Sequence, residues 1–172
     1  NRPNLNFRGF CGTVASGVIR EGDEVIVLPS NKKSHIKSIV TYDEELELAH
    51  AKMAVTLTLD DEIDVSRGDI IAHPENIPAS DTNFDATIVW MADTPLLPGN
   101  FFDFKLGSKT VSGRLKTLHN RIDVNTLEKV PASGLELNEI GLAEINLDET
   151  VCFDSYKDNR ATGSFIIVDR LT

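Results

Sequence analysis

Cysteine is scarce: the 172 residues hold two, Cys11 and Cys152, near opposite ends of the chain and in no metal-binding or redox spacing. A disulfide framework therefore has no support, and a reducing, cytoplasmic setting is expected. Long apolar runs are missing as well. Nothing approaches the roughly 20 residues a membrane helix needs, and no charged-then-apolar signal pattern opens the chain. Basic charge is in deficit, with 17 Lys and Arg against 27 Asp and Glu for a net charge of −10, and the deficit is shared by both halves. Such a chain gains little from counterion release, so neither a nucleic acid nor a membrane is expected as partner.

Phosphate-binding loops are also lacking. The sequence contains no G-x-x-x-x-G-K-S/T and no G-x-G-x-x-G after a strand, the two spacings that place backbone N–H groups around phosphates. No nucleotide cofactor is expected in this chain. Asn31-Lys32-Lys33-Ser34 faintly resembles a guanine-reading motif, but no Asp follows and the run falls in a hairpin loop. The four histidines, His35, His50, His73 and His119, show no ligand spacing. The acidic run Asp60-Asp61-Glu62-Ile63-Asp64 lacks the central glycine and trailing glutamate of a calcium loop and reads as a solvated turn. No metal site and no catalytic residue are assigned. Cys11 and Cys152 read as buried small apolar residues, and Trp90, in Thr87-Ile88-Val89-Trp90-Met91, as core or as a contact between barrels.

What is present is a succession of short runs rich in Val, Ile, Thr and Phe, separated by Gly, Pro, Asn and Asp about every ten residues. This is the pattern of antiparallel strands closing on themselves, and helical periodicity is nearly absent. Strands are predicted over 12–19, 24–28, 34–42, 54–59 and 69–73, then over 84–92, 100–106, 109–119, 121–124, 141–147, 150–153 and 163–169. Ala54 to Leu59 alternates large apolar Val55, Leu57 and Leu59 with small or polar neighbours, giving one buried and one wet face. Asp43 to Lys52 holds good helix formers, yet Glu45-Leu46-Glu47-Leu48 alternates; it reads as an irregular connection with at most one helical turn. Pro74 to Asp81, with two prolines, reads as a linker. The fold class that follows is all-β: two consecutive antiparallel β-barrels, over residues 1–80 and 81–172.

Arg8-Gly9-Phe10-Cys11-Gly12-Thr13-Val14-Ala15-Ser16-Gly17-Val18-Ile19-Arg20-Glu21-Gly22-Asp23-Glu24-Val25 resembles the G-x-V-x-x-G-x-I-x-x-G-D-x-V signature of domain 2 in translational GTPases such as elongation factor Tu. Val65-Ser66-Arg67-Gly68-Asp69-Ile70-Ile71 resembles the closing motif of that domain. In the second half, Val89 to Gly99 and Asn159-Arg160-Ala161-Thr162-Gly163-Ser164-Phe165-Ile166-Ile167-Val168-Asp169-Arg170-Leu171 are similar to the large, GTP-hydrolysing subunit of bacterial sulfate adenylyltransferase. So are the opening Asn1 to Gly9 and the segment Leu59 to Asp69.

This resemblance implies an elongation factor Tu domain 2-like barrel followed by a domain 3-like barrel. It implies a parent protein with an N-terminal GTPase domain, absent here, that holds GTP and Mg. The chain opens on Asn1-Arg2-Pro3 without a start residue, as though cut from something longer. The implied partners are the chain's own GTPase domain and the small catalytic subunit, which makes adenylyl sulfate and pyrophosphate from ATP and sulfate in sulfate assimilation. This piece is then a binding and coupling module, inactive alone. Arg67, Asp69, Arg160 and Arg170 are the charges matching the family pattern, with turn or ion-pair roles favoured over an interdomain or partner interface. An alternative keeps only the first signature: a barrel module of a translation-factor GTPase that contacts tRNA. One departure is Lys52, where the family usually turns on glycine; a non-glycine disfavours a left-handed residue and predicts a looser corner.

Overall fold

The computed structural model describes residues 7–169, which form fourteen strands and no helix. No helix long and apolar enough to cross a membrane therefore occurs among them. The first sheet draws on β1 (Phe10–Thr13), β3 (Glu24–Leu28), β4 (Lys32–Val40), β5 (Glu45–Leu46), β7 (Ala54–Leu59) and β8 (Ile70–Ala72). Its order is β1-β7-β4-β3-β8, with β5 on β4, while β2 (Val18–Arg20) and β6 (Leu48–His50) form a separate ribbon. The second sheet runs β14-β10-β11-β13-β9, with β12 on β11. Its strands are β9 (Ala79–Val89), β10 (Phe101–Leu106), β11 (Lys109–Ile122), β12 (Lys129–Val130), β13 (Ile140–Phe153) and β14 (Ile166–Val168). The registered pairs are antiparallel, and the architecture is all-β with two barrels.

The chain divides into two compact units, 1–80 with 152–164, and 81–151 with 165–172. In the first, Val25, Ile36, Ile39 and Ala49 are fully buried, and Phe10, Ile19, Leu46 and Met53 pack on that cluster. The alternation of β7 appears as read, with Val55, Leu57 and Leu59 inside. Thr58 is buried too, and its hydroxyl meets Ser38 Oγ at 2.6 Å, so neither oxygen is left unsatisfied. In the second unit Phe104, Leu115, Ala143 and Ile145 form the interior, and Leu96 and Leu135 exchange two backbone hydrogen bonds. Trp90 belongs to this core: its ring stands edge-on to Phe102 at 5.7 Å, and Nε1 donates to Thr94 O at 2.7 Å.

Several expectations give way. Residues 43–52 are not an irregular connection but carry β5 and β6, Leu46 being half-buried in the first and Ala49 fully buried in the second, so that strand pairing with β4 and β2 outweighs helix propensity. The expected strand 12–19 is broken, since Val14 turns inward and Gly17 takes φ 72. Of the strand expected at 121–124 only Arg121 and Ile122 are in a strand, as the end of β11, which passes Asn120 by absorbing bulges near Lys116 and His119. Strands 141–147 and 150–153 are one, β13. The linker ends early, because Ala79 already opens β9. Of the Asn31–Ser34 run only Asn31, at φ 59, lies in the hairpin turn, which it forms with Pro29 and Ser30, while Lys32 and Lys33 are in the strand. Cys11 is exposed, not buried, because it points outward from β1, where its Sγ lies 3.2 Å from Thr56 Oγ1.

Lys52 contradicts the looser corner. It takes the left-handed conformation itself, φ 77, and the turn is tied by Lys52 N–H to Val14 O (2.8 Å), Met53 N–H to His50 O (3.2 Å) and Ala51 N–H to Gly17 O (3.0 Å). Surrounding hydrogen bonds impose the strained backbone that the side chain disfavours. Lys52→Gly is expected to stabilise the first unit by up to about 1 kcal/mol, the left-handed strain relieved less the added unfolded-state entropy. A rise in the urea midpoint checks this, and a fall would show that Lys52 contributes contacts outweighing the strain.

Candidate functional site

The turn Ser66–Asp69 is built by its own sequence. Gly68 sits at φ 93, Asp69 N–H donates to Ser66 O at 3.1 Å, and Asp69 Oδ2 accepts from Ser66 N–H at 2.8 Å. Asp69 is thus occupied in closing the turn, and Arg67 projects exposed from its tip. The neighbouring acidic run is tethered as well as solvated: Asp61 Oδ2 accepts from the buried Ser34 hydroxyl at 2.8 Å, and Asp64 pairs with Arg8 at 2.9 Å.

Arg160 sits on the other feature of the first unit, the segment between Phe153 and Phe165. Asp158 and Asn159 N–H both donate to Ser155 O at 2.9 Å, Gly163 N–H donates to Asn159 O at 2.8 Å, and Ala161 N–H to Asn159 Oδ1 at 3.0 Å. Thr162 Oγ1 donates to Asp154 Oδ2, and Ser164 Oγ to Arg160 O at 2.8 Å. This much internal bonding makes a loop that holds its shape without a strand ladder. On its surface the Arg160 guanidinium lies over the Tyr156 ring at 5.6 Å, and the Tyr156 side chain is 57% exposed. Tyr and Arg are the residue types most often found carrying interface energy, and a preformed stack loses little entropy on contact. No hydrogen bond or ion pair among the described residues joins Arg160 to Arg67 or Asp69. Arg170 lies outside the described residues.

The first unit also has an open cleft of about 590 Å³, lined by Arg20, Lys37, Glu21, Glu47 and Asp60. Its mixed charge suits a polar surface contact more than a small apolar ligand. Elsewhere His73 Nε2 stands 3.2 Å from Val18 O and 3.5 Å from Asp23, and His119 Nε2 3.0 Å from Asp85 Oδ1. Neither imidazole contacts a Ser or Cys nucleophile in these pairs. Among the described residues no group of three or more His, Cys, Asp or Glu is arranged to hold a metal ion. Among the carboxyls held below the usual carboxylate range are Glu139, by the Glu136 backbone N–H with Arg121 adding to it, and Asp123, by the Asn125 and Thr126 backbone N–H groups. Both order loops of the second unit. The sequence reading named Arg160 but missed Tyr156, whose signal is its spacing of four residues from Arg160 in a turn-rich run.

The family model described as GTP-eEF1A C-terminal domain-like matches residues 83–172, and that of elongation factor Tu domain 2 matches residues 11–72. Over all 172 residues the chain is 56% identical to sulfate adenylyltransferase subunit 1 of Shewanella woodyi, covering 37% of that protein. It is 52% identical to the bifunctional enzyme CysN/CysC of Rhodopirellula baltica, again over the whole chain and covering 27% of that protein. The chain thus spans little more than a third of the length of the first and less of the second. Among solved structures it is similar to Sup35 complexed with GDP, with a TM-score of 0.86 and 22% identity over 94% of this chain and 41% of that one. It is also similar to translation elongation factor SelB of Methanococcus maripaludis, with a TM-score of 0.66 and 22% identity over 84% of this chain and 32% of that one. At that identity the two structures speak for the fold alone. With its second half matched as a unit and its first half matched by the domain that precedes it, the chain belongs to the GTP-eEF1A C-terminal domain-like family, on the barrel pair of translation-factor-type GTPases.

Proposed function

We propose that the chain is the C-terminal barrel pair of a sulfate adenylyltransferase large subunit, working in the cytoplasm as two modules divided along the chain near residue 80. The observation that carries this is identity above one half, across the full chain, to proteins named sulfate adenylyltransferase subunit 1. The parent's GTPase domain would hold GTP and Mg, and a separate small subunit would join ATP and sulfate into adenylyl sulfate and pyrophosphate. Sulfate is a poor nucleophile and the mixed anhydride is high in energy, so the transfer alone runs uphill and needs a coupled reaction. The barrels supply no reacting group in this reading. They bind the catalytic subunit and carry to it the nucleotide state of the GTPase domain, with Arg67, Asp69, Arg160 and Arg170 as the candidate interface charges.

Coupling of this kind requires that GTP and GDP favour different bound states of the complex, since a ligand shifts an equilibrium only by its differential affinity. The full-length parent is expected to bind the small subunit at least tenfold more tightly in one nucleotide state than in the other, about 1.4 kcal/mol. Titration calorimetry with GDP and with a non-hydrolysable GTP analogue measures this, and equal affinities would defeat the coupling role. Retention of aminoacyl-tRNA on filters by the same protein would point instead to the translation-factor reading.

A further inference from the structure

One end of the second unit exposes large apolar side chains on a rigid frame. Hydrogen bonds join the strand ends there: Trp90 N–H donates to Glu139 O (2.9 Å), Asn138 N–H to Trp90 O (2.7 Å), and Ile140 pairs with Ile122. The end of β9, the start of β13 and the β11–β12 hairpin are thus consecutive, with β9 and β11 two strand spacings apart, roughly 10 Å. Because Trp90 points into the core, Val89 and Met91 on either side of it point out, 56% and 77% exposed. Beside them Leu137 is 44% exposed, and the hairpin presents Val124 at 60% and Leu127 at 78%.

The hairpin is ordered by its own bonds. Asp123 Oδ1 accepts from Asn125 N–H (2.8 Å) and Thr126 N–H (3.1 Å), Leu127 N–H donates to Asp123 O (2.7 Å), and Asp123 N–H donates to Glu128 O (2.9 Å). These bonds hold Leu127 at φ 61, a conformation that leucine disfavours. An exposed leucine in a strained backbone has no advantage for an isolated barrel, whereas a contact made through it would favour both features. The surroundings decide what covers it. Asp93, Glu128 and Glu136 are exposed around the patch with Asp123 beneath it, Lys129 is the single exposed cation there, and Arg121 is already paired with Glu139. A nucleic acid or an anionic membrane is repelled by this rim. A two-fold contact with a second copy would set the acidic rim against itself.

We propose that the end of the second unit carrying Val89, Met91, Val124, Leu127 and Leu137 is a docking surface for a protein that presents an apolar pocket edged by Lys and Arg. Resting on the function proposed above, that protein is the small catalytic subunit. The acidic rim steers the encounter and makes it salt-dependent, and Leu127 is the anchor.

The test uses full-length parent and purified small subunit, with affinity read by calorimetry. Leu127→Asp and Met91→Asp are each expected to weaken binding at least tenfold, and Tyr42→Asp, a fully exposed site in the first unit, to leave it within twofold. Leu127→Gly relieves the backbone while removing the anchor, so it should melt no lower than wild type yet bind at least fivefold more weakly, a combination that a merely structural leucine would not give. Unchanged affinity in the Leu127 and Met91 variants, with wild type binding well, overturns the docking surface and leaves the proposed function standing. Failure of wild type itself to bind the small subunit overturns both.

Discussion

Phe104→Ala is expected to lower the stability of the second unit by about 3–5 kcal/mol, the usual loss for a buried phenylalanine that leaves a cavity. Phe104 is fully buried at the middle of β10, opposite Val111 on β11 and Ile167 on β14, with its ring 5.9 Å from that of Phe165. Three strands converge on one side chain, so little around it can collapse into the space. Against a total stability of about 5–15 kcal/mol this is a large share. Phe101→Ala on the same strand is the control. That ring is 59% exposed and stacked only with Arg114, and its loss should cost about 1 kcal/mol or less. Guanidinium unfolding of the two variants measures the difference, and equal midpoints would mean that β10 does not bury the face described.

Gly163→Ala should cost about 3 kcal/mol, the upper part of the overpacking range, and should open the Tyr156–Arg160 loop. A Cβ at Gly163 would stand 2.6 Å from both the N and the Cα of Tyr156 and 2.7 Å from Asn159 O. All three atoms are backbone, so no side-chain rotation makes room. Gly17→Ala offers the contrast: space is open around it, and only its φ of 72 opposes a side chain, at about 1–2 kcal/mol. Thermal melts give the energies, and faster exchange of the Gly163 amide, which donates to Asn159 O, reports the opened loop. Protection equal to wild type would show that the loop accommodates a methyl group.

Gly163 also shows how far the sequence could be read. As part of Ala161-Thr162-Gly163-Ser164-Phe165 it carried the resemblance, but that it is glycine because two backbone segments touch there is visible only in three dimensions. Period-two alternation gives the inward face of β7, Val55, Leu57 and Leu59, but not the cover over Thr58, whose burial the hydrogen bond to Ser38 makes tolerable. At Glu45 to Leu48 helix formers and alternation compete and the segment reads as irregular; strand pairing decides for β5 and β6, with Leu46 half-buried and Leu48 exposed. Lys52 was misjudged because left-handed strain depends on the hydrogen bonds of three residues around it, not on its own side chain. The candidate surfaces of the two units, each taken by itself, differ in how far they are legible. Charges announce themselves in a sequence, and Arg67 and Arg160 were found that way. On the second unit Val124 reads as an ordinary strand residue and Leu127 carries no signal, until the hairpin is seen to hold both outward.

The first unit takes in residues 152–164 as well as 1–80, and this governs how the nascent protein matures. When the ribosome has delivered the first stretch, the piece holding Tyr156 and Arg160 is still to be made, and at about 5–20 residues per second it emerges several seconds later. During that delay the leading barrel is exposed without its last portion, a window for chaperone capture or premature proteolysis. Expression trimmed at residue 80 would make that delay permanent.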